Sequence, residues 1–445
     1  MTQGSGTAKD VRRRHDREIV ALAVPAFGAL VAEPLFVMAD SAIVGHLGTA
    51  QLAGLGVASA LLMTGVSIFV FLAYATTAAV ARRVGAGDLP AAIRQGMDGI
   101  WLALILGALV VAAILPTTPE LISLFGASDT AAPYAVTYLR ISALGIPAML
   151  IVLAATGVLR GLQDTKTPLY VAVGGFTANA VLNVALVYGA GFGIAGSAWG
   201  TVIAQWGMAG AYLVVVVSGA RRHGASLRPD AAGIRACAQA GAPLLVRTLS
   251  LRAILMIATA VAARLGDTEI AAHQIILSLW SLLAFALDAI AIAGQAIIGR
   301  YLGAGDAAGA RAACKRMVEW GIASGVVLGL LVIVARPVFL PLFTSDSGVQ
   351  DTAFAALLVV ALSQPISGVV FVLDGVLMGA GDGPYLAWAM LVTLAAYTPV
   401  ALLVPTFGGG LAALWGAMAL MMLIRMLTLW LRTRSGRWIV TGATR

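Results

Sequence analysis

Charged residues are scarce in this sequence: Lys, Arg, Asp and Glu make up 11% of its 445 residues. An average soluble domain has roughly 25% charged and about 45–50% apolar residues, whereas this chain is 60% hydrophobic. A chain of this length and composition has too few polar groups to cover a surface that faces water. The composition therefore excludes a soluble globule and predicts an integral membrane protein.

Cysteine is nearly absent, which limits disulfide and metal chemistry. Cys237 and Cys314 are the only two, and both fall near predicted cytoplasmic ends of helices, so no structural disulfide is expected. No spacing typical of zinc ligands occurs. The sequence predicts no cofactor.

Nucleotide-binding motifs are also missing. Gly85-Ala86-Gly87-Asp88 and Gly303-Ala304-Gly305-Asp306 are glycine-rich, but neither follows a strand or precedes the Lys-Ser/Thr pair of a phosphate-binding loop. We interpret each as a turn that ends a helix, in which glycine allows a positive φ and aspartate caps the next helix. Without an ATP-binding motif, any pumping would draw on an ion gradient.

Long apolar stretches are what the sequence has in abundance, and a membrane-spanning helix needs about 20 such residues. Twelve spans are predicted, so the expected fold class is an all-α integral membrane protein with twelve transmembrane helices. The predicted spans cover residues 20–47, 51–80, 97–116, 132–156, 167–190, 195–218, 238–263, 270–298, 317–335, 352–378, 385–406 and 411–431.

The basic residues indicate the orientation of these spans. Of the 28 Lys and Arg residues, 22 lie before span one, after an even-numbered span or in the tail. Because basic loops stay inside, we predict a multi-pass protein of the cell (plasma) membrane with both termini in the cytoplasm. The formal net charge of +8 is then a signal of topology, and no nucleic-acid partner is predicted.

The chain also looks like an internal duplication. Landmarks recur 218 residues apart. Each half holds six spans, an even number, so both halves cross the membrane in the same direction, which predicts two parallel six-helix repeats with a cavity between them. The predicted divisions are a basic segment 1–19, an N-terminal lobe 20–218, a linker 219–237, a C-terminal lobe 238–431 and a tail 432–445. The matched pairs include Pro25 with Pro243, Gly48 with Gly266, Asp88 with Asp306, Pro119 with Pro337, Pro147 with Pro365 and Asp164 with Asp382.

The first span, Val20–Leu47, contains two carboxylates and two prolines. Glu33 and Asp40 are seven residues apart and so share a helix face, and each costs roughly 2.5–3.5 kcal/mol at mid-bilayer. Pro25 and Pro34 each free a backbone carbonyl, so this helix should bend. We interpret it as the moving, ion-sensing helix of a transporter; the alternative is a helix whose buried polar groups only fix packing.

Other polar residues distinguish the first half from the second. At the 218-residue offset, Asp40 corresponds to Ala258, and Asn179 and Asn183 correspond to Tyr397 and Ala401. With Tyr138 and Thr201, these side chains offer oxygen ligands that suit a hard cation, or hydrogen bonds to a protonatable carboxylate. The alternative is that they bond to one another as contacts between helices.

The embedded charges differ between the halves in the same way. Asp288 and Asp374 in the second half are matched by Arg247 and Arg252, whereas Glu33 and Asp40 have no basic partner within the first-half spans. The first half therefore needs a proton or a metal cation, since burial in a low dielectric favours the protonated form of an unpaired carboxylate.

Three stretches together resemble the MATE (multidrug and toxic compound extrusion) transporters, and most closely their DinF-like branch. They are Glu33-Pro34-Leu35-Phe36 with Asp40 and Val44-Gly45-His46-Leu47-Gly48, Ala271-Ala272-His273-Gln274-Ile275, and Leu302-Gly303-Ala304-Gly305-Asp306. The resemblance covers essentially the whole chain. It implies two six-helix lobes around a central cleft and export of drugs by alternating access, driven by inward Na⁺ or H⁺.

The resemblance also implies a cation site and a set of partners. Asp40, Tyr138, Asn179, Asn183 and Thr201 would form the coupling site, with Na⁺ able to bind at Asp40, Asn179, Asn183 and Thr201. Some relatives carry an acid where this chain has Asn183, and one carboxylate fewer favours protons. The expected substrates are small organic, cationic and amphipathic compounds. The expected surroundings are membrane lipid, and the expected state is a monomer.

Two other functions remain open beside this antiporter. A lipid-linked-sugar or organic-anion exporter of the same superfamily would have a more basic cavity, at which Arg247 and Arg252 hint. An integral-membrane enzyme would need clustered acids or histidines. Because the acids of this sequence are scattered, no enzymatic activity is predicted.

Overall fold

The computed structural model describes residues 8–444, without the side chains of Ala8, Lys9, Val11 and Glu33. This part of the chain consists of helices joined by short connections and contains no strand. The helices are α1 (Ala8–Gly45), α2 (Thr49–Ile68), α3 (Phe71–Gly85), α4 (Leu89–Leu124), α5 (Ala132–Ala143), α6 (Ile146–Gly161), α7 (Lys166–Val184) followed by a π-helical turn (Ala185–Gly189), α8 (Gly193–Arg222), α9 (Ala231–Leu265), α10 (Asp267–Gly303), α11 (Ala307–Phe343), α12 (Ser347–Gly379), α13 (Gly383–Leu403) and α14 (Leu411–Arg434).

Most of these helices are long and apolar enough to cross a membrane. Within the described residues there are 11 such spans, with α2 and α3 together forming one. A twelfth is the pair α5 and α6, which bends by 48° at a short break. Pro147 lies in the first turn of α6, where a missing N–H is tolerated. The predicted all-helical membrane fold is confirmed, and its fourth predicted span corresponds to this bent pair.

The two glycine-rich turns end one helix and begin the next, as predicted. Gly87 and Gly305 have φ angles of 81° and 76°, a backbone region that glycine enters without strain. The Asp88 side chain accepts a hydrogen bond from the backbone N–H of Ala91 at 3.0 Å. Asp306 accepts one from Gly309 at 2.7 Å. Equivalent caps at equivalent positions support the internal duplication.

The chain divides into two compact units. We call residues 28–241 the N unit, and residues 1–27 with 242–445 the C unit. Helix α1 therefore begins in the C unit and ends in the N unit, and α9 begins in the N unit and ends in the C unit. Both changes fall within a few residues of Pro25 or Pro243. The predicted lobe limits, the linker and the axis that relates the repeats stay predictions.

Small residues set how closely the helices pack in each unit. In the N unit, a Cβ on Gly157 of α6 would lie 2.5 Å from the carbonyl oxygen of Ala73 on α3. In the C unit, Gly321, Gly325 and Gly329 form a stripe along α11 whose Cβ positions would lie within 2.6 Å of α12 backbone oxygens. Close backbone approach at small residues is how membrane helices associate without a hydrophobic driving force.

Candidate cation-coupling site

Asp40 is the centre of a buried polar network in the N unit. It lies on α1 and is 6% exposed. Its Oδ1 accepts hydrogen bonds from Asn183 Nδ2 at 2.6 Å and from Ser197 Oγ at 2.8 Å, and the Tyr138 hydroxyl approaches Oδ2 at 3.4 Å. The partners come from α5, α7 and α8, so one carboxylate joins four helices of the unit.

The network extends from Asp40 along α7. Asn183 Nδ2 also donates to Asn179 Oδ1 at 2.9 Å, and Asn179 Nδ2 donates to Thr201 Oγ1 at 3.0 Å. The two asparagines share a face because they are four residues apart on one helix. The structure thus brings together all five predicted residues, whose role in coupling stays a prediction.

Ser197 is the member of this network that the sequence did not single out. It is fully buried and makes a closer contact with Asp40 than Tyr138 does. Its spacing from Thr201, four residues along α8, was the available signal, since residues at that spacing share a helix face. A single serine in an apolar helix is otherwise indistinguishable from one that bonds its own backbone.

The chemistry of the site is that of one carboxylate among neutral groups. None of the hydrogen-bond partners that the described residues offer to Asp40 is basic. The Oδ1 atom of Asn183 is buried without a hydrogen-bond partner, and it faces Gly200, whose added Cβ would lie 2.0 Å away. The site therefore holds a spare acceptor beside a titratable acid.

A cation held here would have mostly neutral oxygen ligands. Among residues 8–444 with described side chains, no group of three or more His, Cys, Asp or Glu is placed to hold a metal ion. The oxygens of Asp40, Asn179, Asn183 and Thr201 are hard ligands of the kind that an alkali or alkaline-earth cation takes. In the structure both amide nitrogens donate within the network, while Asn183 Oδ1 has no hydrogen-bond partner.

The remaining predicted residues of α1 cannot all be placed. Pro25 and Pro34 lie within an uninterrupted helix, Ala8–Gly45, and the bend expected at them stays a prediction. The side chain of Glu33 lies outside the described part of the chain.

The predicted charges of the second half form a different kind of cluster, in the C unit. Asp374 on α12 is 3% exposed. Its Oδ1 accepts from Arg247 Nε at 3.3 Å, and its Oδ2 accepts from the terminal nitrogens of both Arg247 and Arg425. All three side chains are buried. The described partners of Asp374 are therefore basic, whereas those of Asp40 are neutral.

The predicted matching of Asp288 and Asp374 with Arg247 and Arg252 was wrong for Arg252. That side chain is exposed, because it lies five residues after Arg247 and so points about 140° away around α9. Arg425 contacts Asp374 instead, from α14. Asp288 on α10 is partly buried and has a polar partner of its own.

The comparisons with known proteins agree on one family. A model of the MatE family matches residues 25–185 and 243–404, one match in each half. The chain is 34% identical over 445 residues to the chloroplastic protein DETOXIFICATION 44 of Arabidopsis thaliana, covering 95% of this chain and 83% of that one. It is 30% identical over 440 residues to the DNA damage-inducible protein F of Escherichia coli, covering 95% and 94%.

A solved structure shows the same fold. The bent form of the Vibrio cholerae MATE transporter VcmN matches with a TM-score of 0.87 at 22% identity, and the match covers 96% of this chain and 98% of that one. The resemblance to the DinF-like branch is confirmed by the sequence match to the E. coli protein. The chain belongs to the MATE family of multi-pass membrane transporters.

Proposed function

We propose that this transporter is an antiporter that exports small organic cations in exchange for protons, with the Asp40 network as the coupling site. The observation that carries the proposal is the buried Asp40 carboxylate, whose described hydrogen-bond partners are all neutral. A charged side chain inside a membrane span is costly and is functional by default. When the Asp40 carboxylate binds a proton it becomes neutral, so the cost of burying a charge is present only in the deprotonated state.

Protonation would change the network, because it turns an acceptor into a donor. The ionised Asp40 accepts from Asn183, Ser197 and Tyr138. The protonated acid must donate its own hydrogen, and the unpartnered Oδ1 of Asn183 is a nearby acceptor that an amide rotation would bring into use. The two protonation states therefore favour two arrangements of α1, α7 and α8.

A coupled transporter needs such a difference between states. A ligand shifts a two-state equilibrium only through its differential affinity for the two states. Helix α1 carries Asp40 in the N unit while its first residues belong to the C unit. A change at Asp40 thus acts on a helix that both units share, and Pro25 and Pro34 let that helix change direction.

Protons are favoured over Na⁺ by the hydrogen bonds around Asp40. An Na⁺ ion at this site would need oxygens to face it, whereas the amide N–H groups of Asn179 and Asn183 are turned into the network. A single carboxylate also gives a hard cation less charge to bind than a pair would. Sodium coupling is the outcome that the experiment below must exclude.

Export of an organic anion is the second candidate, and one observation favours it. Arg247 and Arg425 are 8% and 3% exposed in the C unit, so guanidinium groups lie inside a membrane domain. Their shared contact with Asp374 is our reason to prefer a structural role for them. The two candidates differ in the charge of the compound that the protein would transport.

The test is transport by the purified protein in proteoliposomes, with H⁺ and Na⁺ gradients imposed separately. We expect export of a fluorescent cationic dye under the H⁺ gradient alone, no export of an anionic dye, and loss of dye export in Asp40→Asn. Asp98→Asn is the matched control, since Asp98 is 3% exposed in the same unit and lies outside the Asp40 network. Coupling to Na⁺ alone, or wild-type export by Asp40→Asn, would contradict the proposal.

A further inference from the structure

The beginning of α1 has two faces with different surroundings. One face is buried within the C unit: His15, Ile19, Leu22 and Ala26 are each at most 5% exposed. Their spacing of three or four residues marks one side of a helix. Asp16 joins this face to α11, where it accepts from Arg316 Nε at 2.6 Å and from Trp320 Nε1 at 2.8 Å.

The opposite face changes from basic to apolar along the helix. Arg13 and Arg17 are exposed, and Val20, Val24 and Phe27 follow with exposures of 41%, 63% and 39%. These five residues are again three or four apart, so they form one continuous stripe. Basic residues followed by exposed apolar ones, on a helix that enters a membrane span, are typical of a surface that crosses from headgroups into acyl chains.

Two acidic neighbours of the stripe pair with arginines of other helices. Asp16 pairs with Arg316 and Glu18 pairs with Arg300, both within the C unit. Arg12 is taken by Glu319 at 2.7 Å. Each of these pairs connects the segment to α10 or α11, and none of them includes Arg13, Arg14 or Arg17.

Three arginines remain on the outer side of this segment. Arg13, Arg14 and Arg17 are exposed, and with Asp10 and Glu18 they line a surface hollow of about 540 Å³. Like charges three or four residues apart on a helix repel each other. An anion bound between them would relieve this repulsion, and the planar fork of arginine suits a phosphate group.

We propose that Arg13, Arg14 and Arg17 bind the phosphate headgroup of an anionic phospholipid, whose acyl chains run along Val20, Val24 and Phe27. At about 1.5 Å of rise per residue, Arg17 and Val24 are about 10 Å apart along the axis, the distance between a headgroup and the upper part of an acyl chain. The lipid is identified by the combination of a phosphate-binding cluster with an apolar stripe. A soluble phosphate compound would use the arginines alone.

The test measures lipid binding to the purified full-length protein by native mass spectrometry, with phosphatidylglycerol and phosphatidylcholine as the probes. In the wild type we expect tighter binding of phosphatidylglycerol. Basic residues near the headgroups attract anionic lipid, so Arg13→Gln/Arg14→Gln/Arg17→Gln should weaken phosphatidylglycerol binding by at least about tenfold. Phosphatidylcholine binding should not change.

Arg221→Gln/Arg222→Gln/Arg228→Gln is the matched control, because it removes the same charge from three exposed arginines of the N unit. This control should keep wild-type affinity for phosphatidylglycerol within about twofold, far less than the loss expected at three lipid-binding arginines. An equal loss in both triple variants, or equal binding of free glycerol phosphate, would overturn the proposal. If the first triple variant does not fold, the wild type still decides: its phosphatidylglycerol binding must fall steeply as KCl is raised, and binding that ignores salt contradicts the proposal.

Discussion

Asp40 and Asp374 are both buried, but the same substitution should affect different properties at the two positions. Asp374→Asn removes the only carboxylate in described contact with both Arg247 and Arg425, and it leaves two guanidinium groups close together in a buried site. Asp40→Asn removes a carboxylate whose described partners are neutral. The first change should therefore lower stability, and the second should remove transport.

The magnitude follows from the burial of the charges around Asp374. The three side chains are between 3% and 8% exposed, and removing one partner of a buried ion pair costs about 3–5 kcal/mol. For a domain of about 150–250 residues, each kcal/mol shifts Tm by roughly 2–4 °C. Asp374→Asn should therefore lower Tm by at least about 6 °C. For Asp40→Asn we expect a shift within about 3 °C, because the cost of burying the charge disappears together with the hydrogen bonds to it.

The assay combines thermal unfolding in detergent with dye transport at matched protein density in proteoliposomes. Asp374→Asn/Arg425→Met provides a rescue, since it removes one of the two neighbouring buried cations and should recover part of the lost Tm. The reasoning is refuted if Asp40→Asn lowers Tm more than Asp374→Asn does. It is equally refuted if the double variant is less stable than Asp374→Asn alone.

Three further outcomes are expected. Ser197→Ala removes a 2.8 Å hydrogen bond to Asp40, worth about 1.5–3 kcal/mol when the acceptor is charged. Proton-driven dye export should fall at least about tenfold, and an unchanged rate would show that Ser197 does not contribute to coupling. Gly200→Ala places a Cβ 2.0 Å from an asparagine oxygen of the network, whereas Gly207→Ala, also on α8, meets open space. Gly200→Ala should lower the free energy of unfolding by about 1–3 kcal/mol and impair transport. Equal Tm values for the two variants would contradict the predicted steric clash at Gly200. A cysteine at Ser128, exposed in the α4–α5 connection, should react with an impermeant maleimide in intact cells; labelling only in inverted vesicles would reverse the predicted topology.

Much of the fold was determined by composition and pattern. The low charge and long apolar stretches required a helical membrane protein, because backbone polar groups in lipid must be satisfied within each segment. The constant offset between halves showed the duplication, which the two matches to the family model bear out. The turns at Gly87 and Gly305 could be predicted because glycine and an aspartate cap act locally, without help from distant residues.

The members of the Asp40 network were also largely determined by the sequence, in a less direct way. An acid in an apolar span needs partners, and two asparagines four residues apart present one polar face. Those facts, with the family resemblance, named five residues that the structure places in one network. Their order of contact was not contained in the sequence: Ser197 donates directly to Asp40, whereas Thr201 accepts from Asn179.

Only the tertiary structure decided which distant side chains meet. Arg425 is separated from Asp374 by 51 residues, and nothing local to either position indicates that α12 and α14 bring them together. Arg252 entered the predicted match through a count of embedded charges, but the helical rotation between Arg247 and Arg252 places Arg252 on the exposed side of α9. The division of α1 between two units likewise depends on long-range packing. Hydrophobic and helical periodicity determine what each segment becomes, whereas pairing between segments depends on how their surfaces fit in three dimensions.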